Sequence, residues 1–132
     1  MMAGRANSGR AMKPLKTADD PVDVDHLNRY TGGDASLNRE ILQLFEAQCR
    51  EMVVKLEELA GQGDLAGKAW RELTHTLKGA ARGVGAFGLA DVAAEAEKLT
   101  NDRLAAIEAV HRLKTKSCAV QLFIEHLLKH QP

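Results

Sequence analysis

A chain of 132 residues fits one domain and can bury an apolar core without help from a metal or a disulfide. Its 18 acidic and 18 basic residues cancel, which excludes an overall field for nucleic acid or an anionic membrane and leaves charge recognition to local patches. No run approaches the ~20 apolar residues of a bilayer span. Cys49 and Cys118 stand far apart without CxxC spacing, so the expectation is a cytoplasmic protein with reduced thiols, both packed within helices.

Residues 1–21 mix Gly, Ser, Lys, Arg and Pro without an apolar stretch and read as a flexible tail, not a signal peptide, leaving 22–130 as the folded domain. Ala, Leu, Glu, Lys and Arg dominate that domain, as expected when helices supply nearly all the structure. The spacing predicts a short first helix from Val22 to Tyr30, capped by Asp23 and stopped at Gly32-Gly33. A second runs from Asp34 or Ser36 to about Ala60, with Leu37, Ile41, Leu44, Phe45, Gln48, Met52, Leu56 and Leu59 as its inner stripe and Gly61 and Gly63 as its end. Asp64 is the predicted cap of a third helix reaching Val84, and Gly85 to Gly88 separate it from a fourth over Leu89 to Leu99. The fifth starts at Asn101 or Asp102 and ends near Leu128, burying Ile107, Val110, Leu113, Val120, Ile124 and Leu127. Short links between long amphipathic helices imply an all-α fold, an antiparallel up-down four-helix bundle with an additional N-terminal helix.

On the third helix Leu65, Ala69, Leu73, Leu77, Ala80 and Val84 form the expected core stripe, with Trp70 partly buried beside it. His75 falls on the opposite face with Lys68, Arg71, Lys78 and Arg82, spaced by three and four residues. The result is a basic ridge centred on an imidazole. Imidazole is nucleophilic near neutral pH and can hold a phosphoryl group as a reactive phosphoramidate, whose charge of about −2 calls for nearby cations. Lys78, one turn on, supplies one. At Gly79 a longer side chain would crowd the ring, so the glycine keeps the surface clear at a cost of about 1 kcal/mol in helix propensity.

The segment Thr74-His75-Thr76-Leu77-Lys78-Gly79-Ala80-Ala81, followed by Gly85-Ala86, resembles the signature of histidine phosphotransfer (HPt) domains, and the run from His26 to Phe45 resembles the N-terminal half of single-domain bacterial members. Val84 stands where many members have leucine, and Phe87 where tryptophan is frequent; both remain apolar. The resemblance implies that His75 takes a phosphoryl group from a receiver-domain aspartyl-phosphate, including that of a hybrid sensor kinase, and passes it to another receiver. Lys78 and Gly79 carry over as neighbours of the phosphoryl site; Lys68, Arg71 and Arg82 would frame phosphate or partner. The expectation is a monomer whose third and second helices form the docking surface, with apolar residues beside His75 meeting the receiver and basic residues framing the phosphate. The required Mg²⁺ would be held by the receiver, and this chain would bind no cofactor or metal. No GxxxxGK[ST] loop is present, so the chain would relay phosphate without a kinase activity of its own.

Two other readings of the same residues exist. A receiver-binding adaptor could use this face without phosphorylation. A di-metal carboxylate bundle could use the ExxH pairs Glu72/His75 and Glu108/His111, but such ligands must point inward, and Glu72 and His75 lie off the apolar stripe. His126 and His130 share a face without a third ligand, His111 flanks the apolar stripe as a boundary residue, and His26 needs no special role.

Overall fold

Five helices, and no strand among the described residues, make up the computed structural model, which describes residues 20–63, 65 and 67–130. They are α1 (Val24–Thr31), α2 (Ala35–Gln62), α3 (Lys68–Val84), α4 (Phe87–Glu97) and α5 (Arg103–Lys129). The all-α expectation holds. Residues 1–19 of the expected tail lie outside the described residues, and Asp20 and Pro21 are half-buried.

Aspartates start three of the helices by the same chemistry. Asp23, Asp34 and Asp102 accept from the backbone N–H groups of His26, Leu37 and Ala105 at 3.1, 3.0 and 3.1 Å. Those amides have no partner within the helix, so the carboxylates satisfy donors that would otherwise be left over. The start of α3 differs from the expectation: the helix begins at Lys68 after Gly67, without a side-chain cap, and Asp64 lies outside the described residues. Leu65 is drawn into the core from the link that precedes the helix. The break between α3 and α4 is also shorter than the Gly85 to Gly88 stretch, because Gly85 alone takes the left-handed conformation (φ 93°) and Gly88 lies inside α4. Gly85 is fixed by contact with α1: its carbonyl accepts from Asp23 N at 2.9 Å, and a Cβ would lie 2.6 Å from the Asp23 carbonyl oxygen.

The helices pack as a ring, α2 on α3, α3 on α4, α4 on α5 and α5 back on α2, with α1 lying against α2 and α3. The α3/α4 seam is the most extensive, and both helices bury small residues, Ala81 on α3 and Ala90, Ala93 and Ala96 on α4. Small side chains let helix axes approach closely. A polar stitch holds α1 to α2: buried Asn38 donates to Asn28 Oδ1 at 2.7 Å and accepts from Thr31 Oγ1 at 2.6 Å.

Two stripes are rotated relative to the periodicity. On α2 the inward face is Leu42, Phe45, Cys49, Val53, Leu56 and Ala60. Leu37 and Leu44 are 40% and 60% exposed and Gln48 is exposed, while Ile41, Met52 and Leu59 edge the core. On α3 the inward face is Trp70, Thr74, Leu77, Ala81 and Val84; Ala69 is exposed, and Leu73 and Ala80 are half-buried. The indole of Trp70, fully buried rather than partly so, is the largest group on α3 and sets which side turns inward. On α5, Ile107 is exposed and the rest of the expected stripe is buried or half-buried. Cys49 packs in the core with its sulfur 3.3 Å from Ser117 Oγ, whereas Cys118 is exposed and does not pack; both are free thiols. Among the described residues, no helix is long and apolar enough to cross a membrane.

Candidate functional site

Turning Trp70 and Thr74 inward puts the next residue outward: Thr74 is fully buried, and the His75 side chain is 67% exposed. The Thr74 hydroxyl donates to the Trp70 carbonyl at 2.9 Å, which satisfies it within its own helix. Trp70 has a second task. Its indole N–H donates to the Ala96 carbonyl at 2.8 Å and so pins the last turn of α4 to the first turns of α3. The residue after Ala96 is Glu97.

Glu97 reaches across the seam to two groups. Its Oε2 lies 3.0 Å from His75 Nδ1, and its Oε1 accepts from Lys78 Nζ at 2.7 Å. An ionised carboxylate only accepts hydrogen bonds, so the ring nitrogen facing it carries the proton. In the neutral ring the lone pair then sits on Nε2, turned away from Glu97 toward solvent. The hydrogen bond from Lys78 is the largest influence on Glu97 and holds its carboxyl below the ordinary 4.5, aided by the bond with His75 and opposed by partial desolvation.

The sequence-expected residues divide into three groups. His75 and Lys78 meet through Glu97, and Lys78 is only 20% exposed, less than its place on the outer ridge implies, because its ammonium lies down on Glu97. Arg71 and Arg82 line, with Lys78, a groove of ≈ 920 Å³ along the α3/α4 seam. Lys68 is exposed and lies outside that lining. A Cβ at Gly79 meets nothing within 4 Å, so a methyl would not crowd the ring, and the space that glycine leaves matters only to something arriving from outside.

Glu97 was not singled out by motif reading. A signal for it exists: counting outward from the turn at Ala86, His75 lies eleven residues before and Glu97 eleven after, which brings them level when the hairpin closes. The ExxH pairs do not point inward, since Glu72, His75, Glu108 and His111 are all exposed. His111 therefore sits on the surface rather than at a core boundary. His126 and His130 are neighbours, with ring centroids 4.4 Å apart, and no group of three metal-ligating side chains occurs among the described residues. His26 does have contacts of note, edge-on to Tyr30 and Phe87 at 5.1 and 5.0 Å, which join α1 to the start of α4.

A family model described as Hpt domain matches residues 40–129, a span that contains His75, Lys78 and Glu97. No curated protein matches the chain.

Proposed function

The chain belongs to the Hpt domain family, whose members carry phosphoryl groups on histidine in phosphorelay signalling, and from that premise we propose that His75 is the phosphoryl-accepting residue. The observation that carries the reading is the exposed imidazole whose Nδ1 faces Glu97, leaving Nε2 open to a partner. In the transfer, the Nε2 lone pair attacks the phosphorus of a receiver aspartyl-phosphate. An N–P bond forms, the P–O bond to the aspartate breaks, and the aspartate leaves as a carboxylate. The proton stays on Nδ1, so the ring becomes cationic, and the adjacent Glu97 carboxylate favours that charge. Transfer onward to a second receiver reverses these steps. Lys78 stands one turn along, within reach of either Glu97 or the phosphoryl oxygens, and the bare surface at Gly79 admits the partner's backbone.

The same reading takes the chain as a phosphate carrier with no ATP-dependent activity of its own, working as a monomer between receiver domains and a hybrid kinase, with Mg²⁺ on the receiver. Arg71, Arg82 and Lys68 frame the approach. The folded unit is 22–130, and the short links between α2, α3, α4 and α5 support an antiparallel up-down course. The test is to mix the chain with a receiver carrying radiolabelled phosphate. Label should pass to the native chain and not to His75→Gln. Equal labelling of the variant would refute the assignment, and unlabelled native chain that still binds the receiver would favour the adaptor reading.

A further inference from the structure

The groove beside the site is lined with cations. Among the described residues, Arg71, Lys78, Arg82 and Lys98 line it with one carboxylate, Glu97, in a chain whose formal charge is zero. Lys78 is the cation that Glu97 engages; Arg71, Arg82 and Lys98 have no ion pair among the described residues. Its lining also includes the apolar side chains of Leu65, Trp70 and half-buried Leu99. Arg71 and Arg82 are eleven residues apart on one helix, a rise of about 16 Å. One phosphate cannot span that distance, whereas about five residues of extended chain can.

We propose that this groove binds an acidic peptide segment of a partner protein, with apolar side chains of the peptide seated against Leu65 and Leu99 and its carboxylates met by Arg71, Arg82 and Lys98. The chain's own residues 1–19 are no complement, since they carry Arg5, Arg10, Lys13 and Lys16 against one acid, Asp19. The apolar part of the lining favours a peptide over a bare polyanion. Because Lys78 and Glu97 belong both to the groove wall and to the His75 cluster, an occupant is felt at the imidazole. Binding itself does not depend on His75 being phosphorylated.

Trp70 is the chain's one tryptophan and borders the groove, so its fluorescence reports occupancy in the native protein. Three probes are titrated into the full chain: a capped Glu/Asp peptide containing leucines, its leucine-to-serine counterpart, and sodium tripolyphosphate. The leucine peptide should give a saturable change that weakens as salt is raised. It should also bind at least about tenfold more tightly than either other probe, as burial of two or more apolar side chains allows. Addition of the peptide should shift the His75 ring resonances. The Arg82→Glu/Lys98→Glu variant, checked for native helicity, should lose the saturable change. Binding of all three probes with equal strength, or no saturable response, overturns the proposal; the comparison among probes on the native chain decides it even where the variant does not fold. No phosphoryl transfer is measured, so failure here is distinct from failure of the His75 assignment.

Discussion

The two oxygens of Glu97 face different donors, Nδ1 of His75 at 3.0 Å and the Lys78 ammonium at 2.7 Å. Glu97→Ala should therefore slow phosphoryl transfer by about an order of magnitude, since it removes the group that orients the ring and favours its positive charge, without replacing the nucleophile. Glu97→Gln, which keeps the shape and loses the charge, should fall between. A folded carboxyl held below 4.5 contributes stability that is fully present above that value and is lost as pH falls through the lowered one. A carboxyl-carbon NMR titration should thus find Glu97 still ionised on the acid side of 4.5, and Lys78→Ala should move its midpoint up toward 4.5. A midpoint unmoved by that change would remove Lys78 as the cause. Two glycines separate cleanly. Gly85→Ala combines a left-handed backbone with a 2.6 Å overlap against Asp23 and should cost at least about 2 kcal/mol by chemical denaturation. Gly79→Ala meets open space and should stabilise the helix by up to about 1 kcal/mol. The proposed site residues His75, Lys78 and Gly79 stand out in the sequence because their spacing along one helix carries the pattern. Glu97 does not, because its partnership is made across a seam between helices.

At the scale of elements, the Trp70 to Ala96 hydrogen bond is the tie that sets the height of α4 on α3, and thereby where Glu97 falls. Trp70→Phe keeps most of the packing and removes the donor; it should cost about 1 kcal/mol, and its transfer rate should drop toward that of Glu97→Ala. Full activity in that variant would show that the seam holds its register without the indole. The number of helices and most of their ends could be read from aspartate caps and left-handed glycines, which are local. The inward faces of α2 and α3 could be read only approximately, because both helices carry apolar residues on adjoining faces and burial is decided by neighbours. On α2 the seam is filled by Cys49, Val53 and Ala60 in place of the larger Leu37 and Leu44, and on α3 the buried indole turns the helix. The start of α3 falls later than the sequence predicts for a related reason, since Leu65 is held by the core and not by a helix.

For the whole molecule, the ring of α2 to α5 encloses one core and leaves one thiol on each side of it, Cys49 inside and Cys118 outside. Burial pushes the Cys49 thiol above its ordinary value of 9.0, partly offset by the contact with Ser117, so it is covered and held in the less nucleophilic thiol form in the folded state. A thiol reagent should modify Cys118 at once and Cys49 only as the bundle opens, and mild denaturant should accelerate the second reaction alone. The core holds α3 and α4 in place, and the proposed acceptor, His75, stands on their outer edge. Phosphoryl acceptance as proposed requires this edge to present Nε2 of His75. Nitrogen-15 NMR of the phosphorylated chain identifies the linkage, because the phosphorus couples to the nitrogen that holds it. Coupling to Nε2 of His75 is expected; a phosphoryl group on Nδ1, or on any other residue, would contradict it.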